Sequence, residues 1–265
     1  MTIKTYLINM DRSPDRLDSA TEQLCRIGLG FKRIAAVDGA RLTDQHLSDY
    51  DEGGALHRYG RTLAAGEIGC YLSHVDALKR FLESDAQHAL VLEDDMRIDN
   101  GFLDLIRQLE ALLADIAGWH VVNLGNHPKK YSTEIDRFRV GDVEHVLCAA
   151  HHFPSLTTGL FWSREGAEAF LRNGLPATAP VDQFLRDWCI ASGRGLAFLD
   201  PPVKTTGAES QIDFLINLKN ARRGVREASY ILRKIRRSVA NNIIARRQMQ
   251  AFRTGTRHSL SRKSA

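Results

Sequence analysis

Along the chain, short runs of apolar residues alternate with longer stretches whose apolar positions recur every three or four residues. Residues 4–10 (KTYLINM) predict a first strand, and 11–16 (DRSPDR) the turn after it. Residues 17–27 have helical spacing that stops near Gly28 and Gly30. A second strand is expected over 31–37 (FKRIAAV), ending at Asp38-Gly39, and then a polar region of loop and short helix to about Thr62. Residues 67–83 predict an amphipathic helix with Ile68, Leu72, Val75, Leu78 and Leu82 on one stripe. A strand follows at 89–92, then a periodic helix over 102–116 with Asp99 or Asn100 placed to cap it. Strands at 120–124, 157–162 and 196–199, with helices at 165–171 and 182–191, continue the alternation. Such alternation predicts an α/β fold with a mostly parallel, layered sheet. Sheets of that kind bind ligands at the carboxyl ends of their strands, where Asn9, Asp38 and Glu93-Asp94-Asp95 all fall.

Composition adds bounds. The chain of 265 residues is 43% hydrophobic and 26% charged, the balance of a soluble globular protein with a sizeable core. No segment approaches the ~20 apolar residues of a membrane-spanning helix. The opening MTIKTYLINMDRSPDR has neither an apolar stretch nor a small-residue cleavage site, so no signal peptide is expected. Cys25, Cys70, Cys148 and Cys189 form no CxxC pair, which argues against a zinc site or a disulfide framework and fits core thiols in a reducing cytoplasm. The net charge of +4 hides a split: residues 219–265 carry 14 Lys/Arg against one acid, leaving 22 basic and 31 acidic residues in 1–218. A basic tail on an acidic body points to a polyanionic partner for the tail alone.

The candidate chemistry is densest in ALVLEDDM (89–96), where an apolar run meets three consecutive carboxylates. Acids packed this closely raise each other's pKa values unless a positive charge neutralises them. A solvated turn would explain one acid; three exceed that need, because Asp99 or Asn100 is better placed for the cap. A divalent cation of the Mg²⁺ or Mn²⁺ kind suits carboxylates and takes the rest of its shell from water and substrate phosphates.

GEIGCYLSH (66–74), followed by VLEDD (91–95), resembles glycosyltransferase family 25. The segments from Ile8-Asn9-Met10 to Arg16, GLFWSREGA (159–167) and Pro180-Val181-Asp182 are similar to further stretches of that family, so the likeness runs over about residues 3–215. Met10 departs from the usual Leu, Leu160-Phe161 departs from an aromatic directly after the Gly, and 201–211 matches only loosely. The resemblance implies a GT-A type fold, with a Rossmann-like mixed, mostly parallel sheet flanked by helices. It also implies transfer of a hexose, most often galactose, from a UDP-sugar. Asp95, assisted by Glu93 or Asp94, would then hold Mn²⁺ or Mg²⁺ against the donor diphosphate, as Lewis acid and template.

Other candidates carry alternatives. Asp182 is either the cap of the helix after Pro180 or the base that takes the acceptor proton in an inverting displacement, with Asp187 the fallback unless it simply faces solvent. Ser73 and His74 suggest donor contact or support of the acids. Glu67 is a donor-site candidate that the helix dipole alone would also explain. Arg16 could pair with a donor phosphate or form a surface salt bridge with Asp11 or Asp15. Asp38 could reach the uridine, or belong to an ordinary Asp-Gly turn. His151-His152 could add a metal ligand or lie exposed at a strand end, and Cys70 reads as packing.

In the tail, Ala221, Val225, Ala228, Leu232, Ile235 and Val239 form one apolar stripe with arginines around much of the rest. Such a helix reads as membrane-surface binding, each cation contributing up to ~1 kcal/mol near anionic lipid, or as a helix docked on the body by its stripe. Few aromatics disfavour nucleic acid. The division expected is a catalytic domain over 1–217 and a basic helical tail over 218–265, disordered after about 254. The reading is a cytoplasmic enzyme, peripheral on the inner face of the membrane, that transfers a hexose to a lipid-linked cell-envelope oligosaccharide in lipopolysaccharide biosynthesis. Competing readings are a metal-dependent phosphoryl or nucleotidyl transferase, for which no GxxxxGK[ST] loop exists, and a non-catalytic adaptor. Specificity is expected from loops at 40–62 and 126–155.

Overall fold

A computed structural model of the chain describes residues 3–128, 130–206, 228–255 and 261–262. In chain order its elements are β1 (Ile3–Asn9), α1 (Pro14–Arg26), β2 (Lys32–Ala35), a 3₁₀ turn (Gly39–Arg41), α2 (Asp44–Ser48), α3 (Glu52–Tyr59) and α4 (Ala65–Leu82). There follow β3 (His88–Glu93), β4 (Met96–Ile98), α5 (Phe102–Ala114), β5 (Ile116–Ala117), β6 (Val121–Asn123), β7 (Ser132–Val140), β8 (Val143–Ala150) and β9 (Gly159–Ser163). The chain closes with α6 (Arg164–Gly174), α7 (Val181–Ser192), β10 (Gly195–Phe198), β11 (Val203–Thr205), α8 (Ala228–Thr254) and β12 (Ser261–Arg262).

Eight strands form one sheet in the order β2-β1-β3-β9-β6-β10-β8-β7. Six of them point the same way; β9 and β8 run against the rest. The result is the expected mixed, mostly parallel α/β sheet flanked by helices. The strand pleat decides which helix each residue meets. In β3, Ala89 and Val91 pack with α4, α6 and α7, while Leu90 and Leu92 pack on the other face with α1 and α5. Two buried cores therefore sandwich the sheet. α4 is the exception to amphipathic design: Ile68, Tyr71, Leu72, Ser73, His74, Val75, Leu78 and Phe81 are all buried, so the helix is enclosed on most sides.

Several expectations need correction. Residues 132–150, expected within a loop, form the β7–β8 hairpin at the sheet edge. Neither Asp99 nor Asn100 caps α5 with its side chain; Gly101 holds that position, and a backbone bond from Phe102 N to Asp99 O (3.1 Å) closes the turn. Asp182 does not cap α7, which starts after Pro180 and places Asp182 in its first turn. Cys25 is exposed, not a core thiol. His151 is buried against Phe252. Asp187 is buried and ion-paired, and does not face solvent. The 218–227 part of the expected tail lies outside the described residues; the described part, α8, packs on α3, α7 and β7. Its stripe residues Leu232, Ile235 and Val239 are exposed, so the helix is not docked by that stripe.

Candidate active site

Parallel pairing of β2, β1 and β3 brings their carboxyl ends to one edge. Register pairs Ile8 with Glu93, so the next residues, Asn9 and Asp94, come level. Asp94 N donates to Ile8 O (3.1 Å), and Asn9 Nδ2 donates to Asp94 Oδ2 (2.7 Å). Asn9 is 2% exposed; its Nδ2 also reaches Ser13 O (3.0 Å), and its Oδ1 accepts from Arg33 Nε (3.0 Å). It fastens the turn after β1 to the acidic turn after β3.

The three acids diverge where β3 ends and the turn of Asp94 and Asp95 begins. Glu93 shares the parity of Ala89 and Val91 and so points toward α4, where His74 Nε2 lies 3.0 Å from its Oε1. Thr157 Oγ1 donates to the same oxygen (2.6 Å). Burial would push the Glu93 carboxyl up, but the bonds from His74 and Thr157 outweigh it and leave the group below its ordinary value. Asp94 has the opposite parity and meets α1, where Arg16 approaches its Oδ1 at 2.5 Å and Asp95 at 3.9 Å. Burial still holds Asp94 above its ordinary value. Asp95 is pushed up to about 6, first by burial and then by the Glu93 charge, with Arg16 only partly offsetting them. Its Oδ1 is buried with no hydrogen-bond partner among the described residues. A buried, unsatisfied carboxylate oxygen is costly unless a ligand reaches it.

These acids line a cavity of about 130 Å³ together with Asn9, Arg12, Arg16, Gly39, Gly66, Cys70 and Ser73. Ser73 Oγ donates to Gly69 O (2.6 Å) and accepts from Val37 N (2.9 Å), tying α4 to the loop after β2. Asp38 stands at the rim. It accepts from Ala40 N (2.9 Å), pairs with Arg12 (2.6 Å), and those contacts hold its carboxyl below the ordinary value. Glu67 is turned away from the cavity: Arg61 grips both its oxygens (2.7 and 2.6 Å), and Ala64 N donates to one of them (2.8 Å), closing the start of α4. Asp182 does not line the cavity. It is partly buried, accepts from Gln183 Nε2 (3.3 Å), and burial raises its carboxyl, with a smaller contribution from Glu67.

Of the residues expected at the site, the structure brings Asn9, Arg16, Ser73, His74 and the three acids into one neighbourhood and leaves Glu67 and Asp182 outside the cavity lining. Sequence reasoning missed Thr157, whose contact with Glu93 crosses 64 residues, and Arg12. It also missed Cys70, whose sulfur lies with a ring nitrogen of His74 and a Glu93 oxygen within 4.8 Å of one another. The spacing of Cys70 and His74, one helical turn apart, is the signal that could have shown the last. Burial pushes the Cys70 thiol well up, so that trio presents a protonated sulfur, a poor ligand for a cation, beside a His74 ring whose Nε2 is engaged by Glu93. The better donor set for a hard cation is Asp95 with Glu93, because both line the cavity as oxygen ligands while Arg16 and Asn9 occupy the two oxygens of Asp94.

Fold and site together define an α/β protein that presents acids and a cavity at the carboxyl edge of parallel strands. The family model for glycosyltransferase family 25 (LPS biosynthesis protein) matches residues 2–185, and the chain belongs to that family. Among curated relatives, a "Glycosyltransferase 25 family member" of Anopheles gambiae is 32% identical over 188 residues, 68% of this chain and 30% of that protein. Procollagen galactosyltransferase 2 of Mus musculus is 29% identical over 68% of this chain and 29% of that protein. A Bos taurus relative at 28% identity, covering 69% of this chain and 31% of that protein, is named a probable inactive family member. The chain spans about 30% of the length of these relatives. A solved glycosyltransferase involved in glycosylation of the major capsid of PBCV-1 superposes with a TM-score of 0.41 at 11% identity, over 82% of this chain and 98% of that one. That superposition is too loose to bear on mechanism.

Proposed function

We propose that this chain is an active glycosyltransferase that moves a hexose, galactose foremost, from a UDP-sugar to a saccharide acceptor by inverting single displacement. The observation that carries the reading is the Asp95 carboxyl, pushed up to about 6 and with its buried Oδ1 unpartnered among the described residues, in a residue that lines a cavity at the strand ends. A divalent cation, Mn²⁺ or Mg²⁺, held by Asp95 and Glu93 would lower the cost of charge on departing UDP. Arg16 and Arg12 give the cavity guanidiniums matched to diphosphate oxygens. His74 and Thr157 orient Glu93, and Asn9 with Ser73 fixes the turns that form the walls. Asp182, in the first turn of α7 and outside the cavity lining, is the carboxylate assigned to take the acceptor proton; burial raises it above its ordinary value. Galactose is favoured because relatives are named procollagen galactosyltransferases. The acceptor class follows the family's description in lipopolysaccharide synthesis: a lipid-linked cell-envelope oligosaccharide, met in the cytoplasm at the inner face of the membrane.

The test is release of UDP from UDP-galactose, UDP-glucose and UDP-N-acetylglucosamine with and without Mn²⁺. Metal-stimulated turnover of one donor is expected, and Asp95→Asn should lower it about 100-fold or more, the scale of losing a transition-state electrostatic group. Turnover of Asp95→Asn at the wild-type rate would end the metal assignment. Nucleoside triphosphate consumption in place of UDP-sugar would identify a phosphoryl or nucleotidyl transferase. No turnover of any donor would leave a non-catalytic adaptor; the bovine relative is itself named probable inactive.

A further inference from the structure

α8 is fastened to the body by its mixed, partly polar side. The Tyr230 ring lies directly against Gly60, Arg237 donates to Arg58 O (2.5 Å), and Asn241 donates to Asp187 (2.9 Å). Ala245 is fully buried, Gln248 donates to Ile190 O (2.8 Å), and Phe252 meets the His151 ring edge-on. The opposite side is aliphatic and open to solvent. Ile231, Leu232, Ile235, Val239 and Ile243 are 52%, 51%, 53%, 52% and 47% exposed. At 3.6 residues per turn they share an arc of about 120° and a length of roughly 18 Å.

An aliphatic row of this kind facing water marks an interaction site. Its surroundings select the partner. The helix contains seven Lys/Arg and no acid, and Arg236, Arg246 and Arg247 are exposed along and beside the row. A second copy of the same face would set cation against cation. Nucleic acid would use aromatic platforms for base stacking, yet Tyr230 and Phe252, the helix's aromatic residues, are on the docked side. Aliphatic side chains bordered by cations match the boundary between acyl chains and anionic headgroups. Among the described residues no helix is long and apolar enough to cross a membrane, so the helix would lie in the surface plane.

We propose that the outward face of α8 docks on an anionic lipid bilayer, with Ile231, Leu232, Ile235, Val239 and Ile243 inserted at the headgroup boundary. The helix is already formed and held by its far side, so the row is presented without rearrangement of the body. This inference needs neither donor, metal nor acceptor.

The experiment is flotation of the full chain with phosphatidylcholine vesicles, with and without phosphatidylglycerol. Wild type should float with the anionic vesicles only. Ile235→Glu combined with Val239→Glu should lower that binding about tenfold or more, as should Arg236→Gln with Arg246→Gln and Arg247→Gln. Both variants alter exposed positions and should keep wild-type circular dichroism and donor hydrolysis. Failure of wild type to float with anionic vesicles, or equal flotation of the glutamate variant, overturns the proposal. So does a wild-type dimer that the glutamate variant converts to monomer without vesicle binding, or salt-sensitive RNA retention in place of flotation. Hydrolysis measured on the same preparations separates the two readings, since either can fail while the other stands.

Discussion

Of the three acids that end β3, Glu93 is held ionised by His74 and Thr157, whereas Asp95 sits in surroundings that oppose its charge. The thermodynamic sign follows from linkage. An acid whose folded pKa, about 6, lies above its ordinary 3.8 binds more protons folded than unfolded between those values. Folded stability therefore falls as pH rises through that window, and the full cost is carried above it. Asp95→Asn removes the cost. In metal-free protein the variant should be more stable than wild type by on the order of 2 kcal/mol near about pH 8, and by less near about pH 5. Thermal melts at the two pH values check this; an Asp95→Asn protein less stable than wild type at the higher pH would show that the carboxylate is structural. A residue whose removal stabilises the fold while abolishing turnover is kept for function.

At the scale of elements, the part of the cavity lined by Val37, Gly39, Cys70 and Ser73 depends on close approach at two glycines. A Cβ at Gly69 of α4 would lie 2.3 Å from Val37 O, and one at Gly39 would lie 2.4 Å from the Ala65 backbone, so helix and loop touch with no side chain between them. Alanine at position 69 would gain about 1 kcal/mol of helix propensity but must move backbone, at a cost of about 1–3 kcal/mol. Gly69→Ala should thus be net destabilising and should weaken UDP binding by calorimetry, because the displaced helix carries Cys70 and Ser73. Gly53→Ala in α3, where the new Cβ meets only Asp51 Oδ1 at 3.5 Å, should be neutral or stabilising. Matching losses from both substitutions would remove the close-approach argument. The same contrast explains what could be read from the sequence. β1, β3, α4 and α5 announce themselves through apolar periodicity, and the acids sit where an apolar run stops. β7 does not, since Phe138 is its one buried residue and Glu134, Asp136, Arg137 and Arg139 mask its alternation. Nor does local pattern foretell that β9 runs antiparallel between β3 and β6, although that is what brings Thr157 to Glu93. The apolar stripe of α8 was visible, but not its direction, because the docked side is held by Arg237, Asn241 and Gln248.

Across the whole molecule, the acidic body and the basic C-terminal segment meet at one buried carboxylate. Asp187 of α7 receives Asn241 at 2.9 Å and lies 3.5 Å from Arg58, 3.6 Å from Arg237 and 3.8 Å from Arg186. It joins α3, α7 and α8, and α3 leads through Arg61 to the start of α4, where Glu67 is gripped. Solvation cannot replace this acid, because its side chain is 9% exposed and three guanidiniums converge on it. Removing one partner of a buried ionic cluster leaves the others uncompensated, at a cost of about 3 kcal/mol or more. Asp187→Ala should therefore release α8 before it unfolds the sheet. Hydrogen exchange should quicken over 228–254 while amides of β1 and β3 keep their protection, and trypsin should cut at Arg233, Arg236 and Arg246 in otherwise folded protein. If α8 amides stay as slow as in wild type, the helix is held by its apolar contacts at Tyr230, Ala245 and Phe252, and charge has no part in joining tail to body.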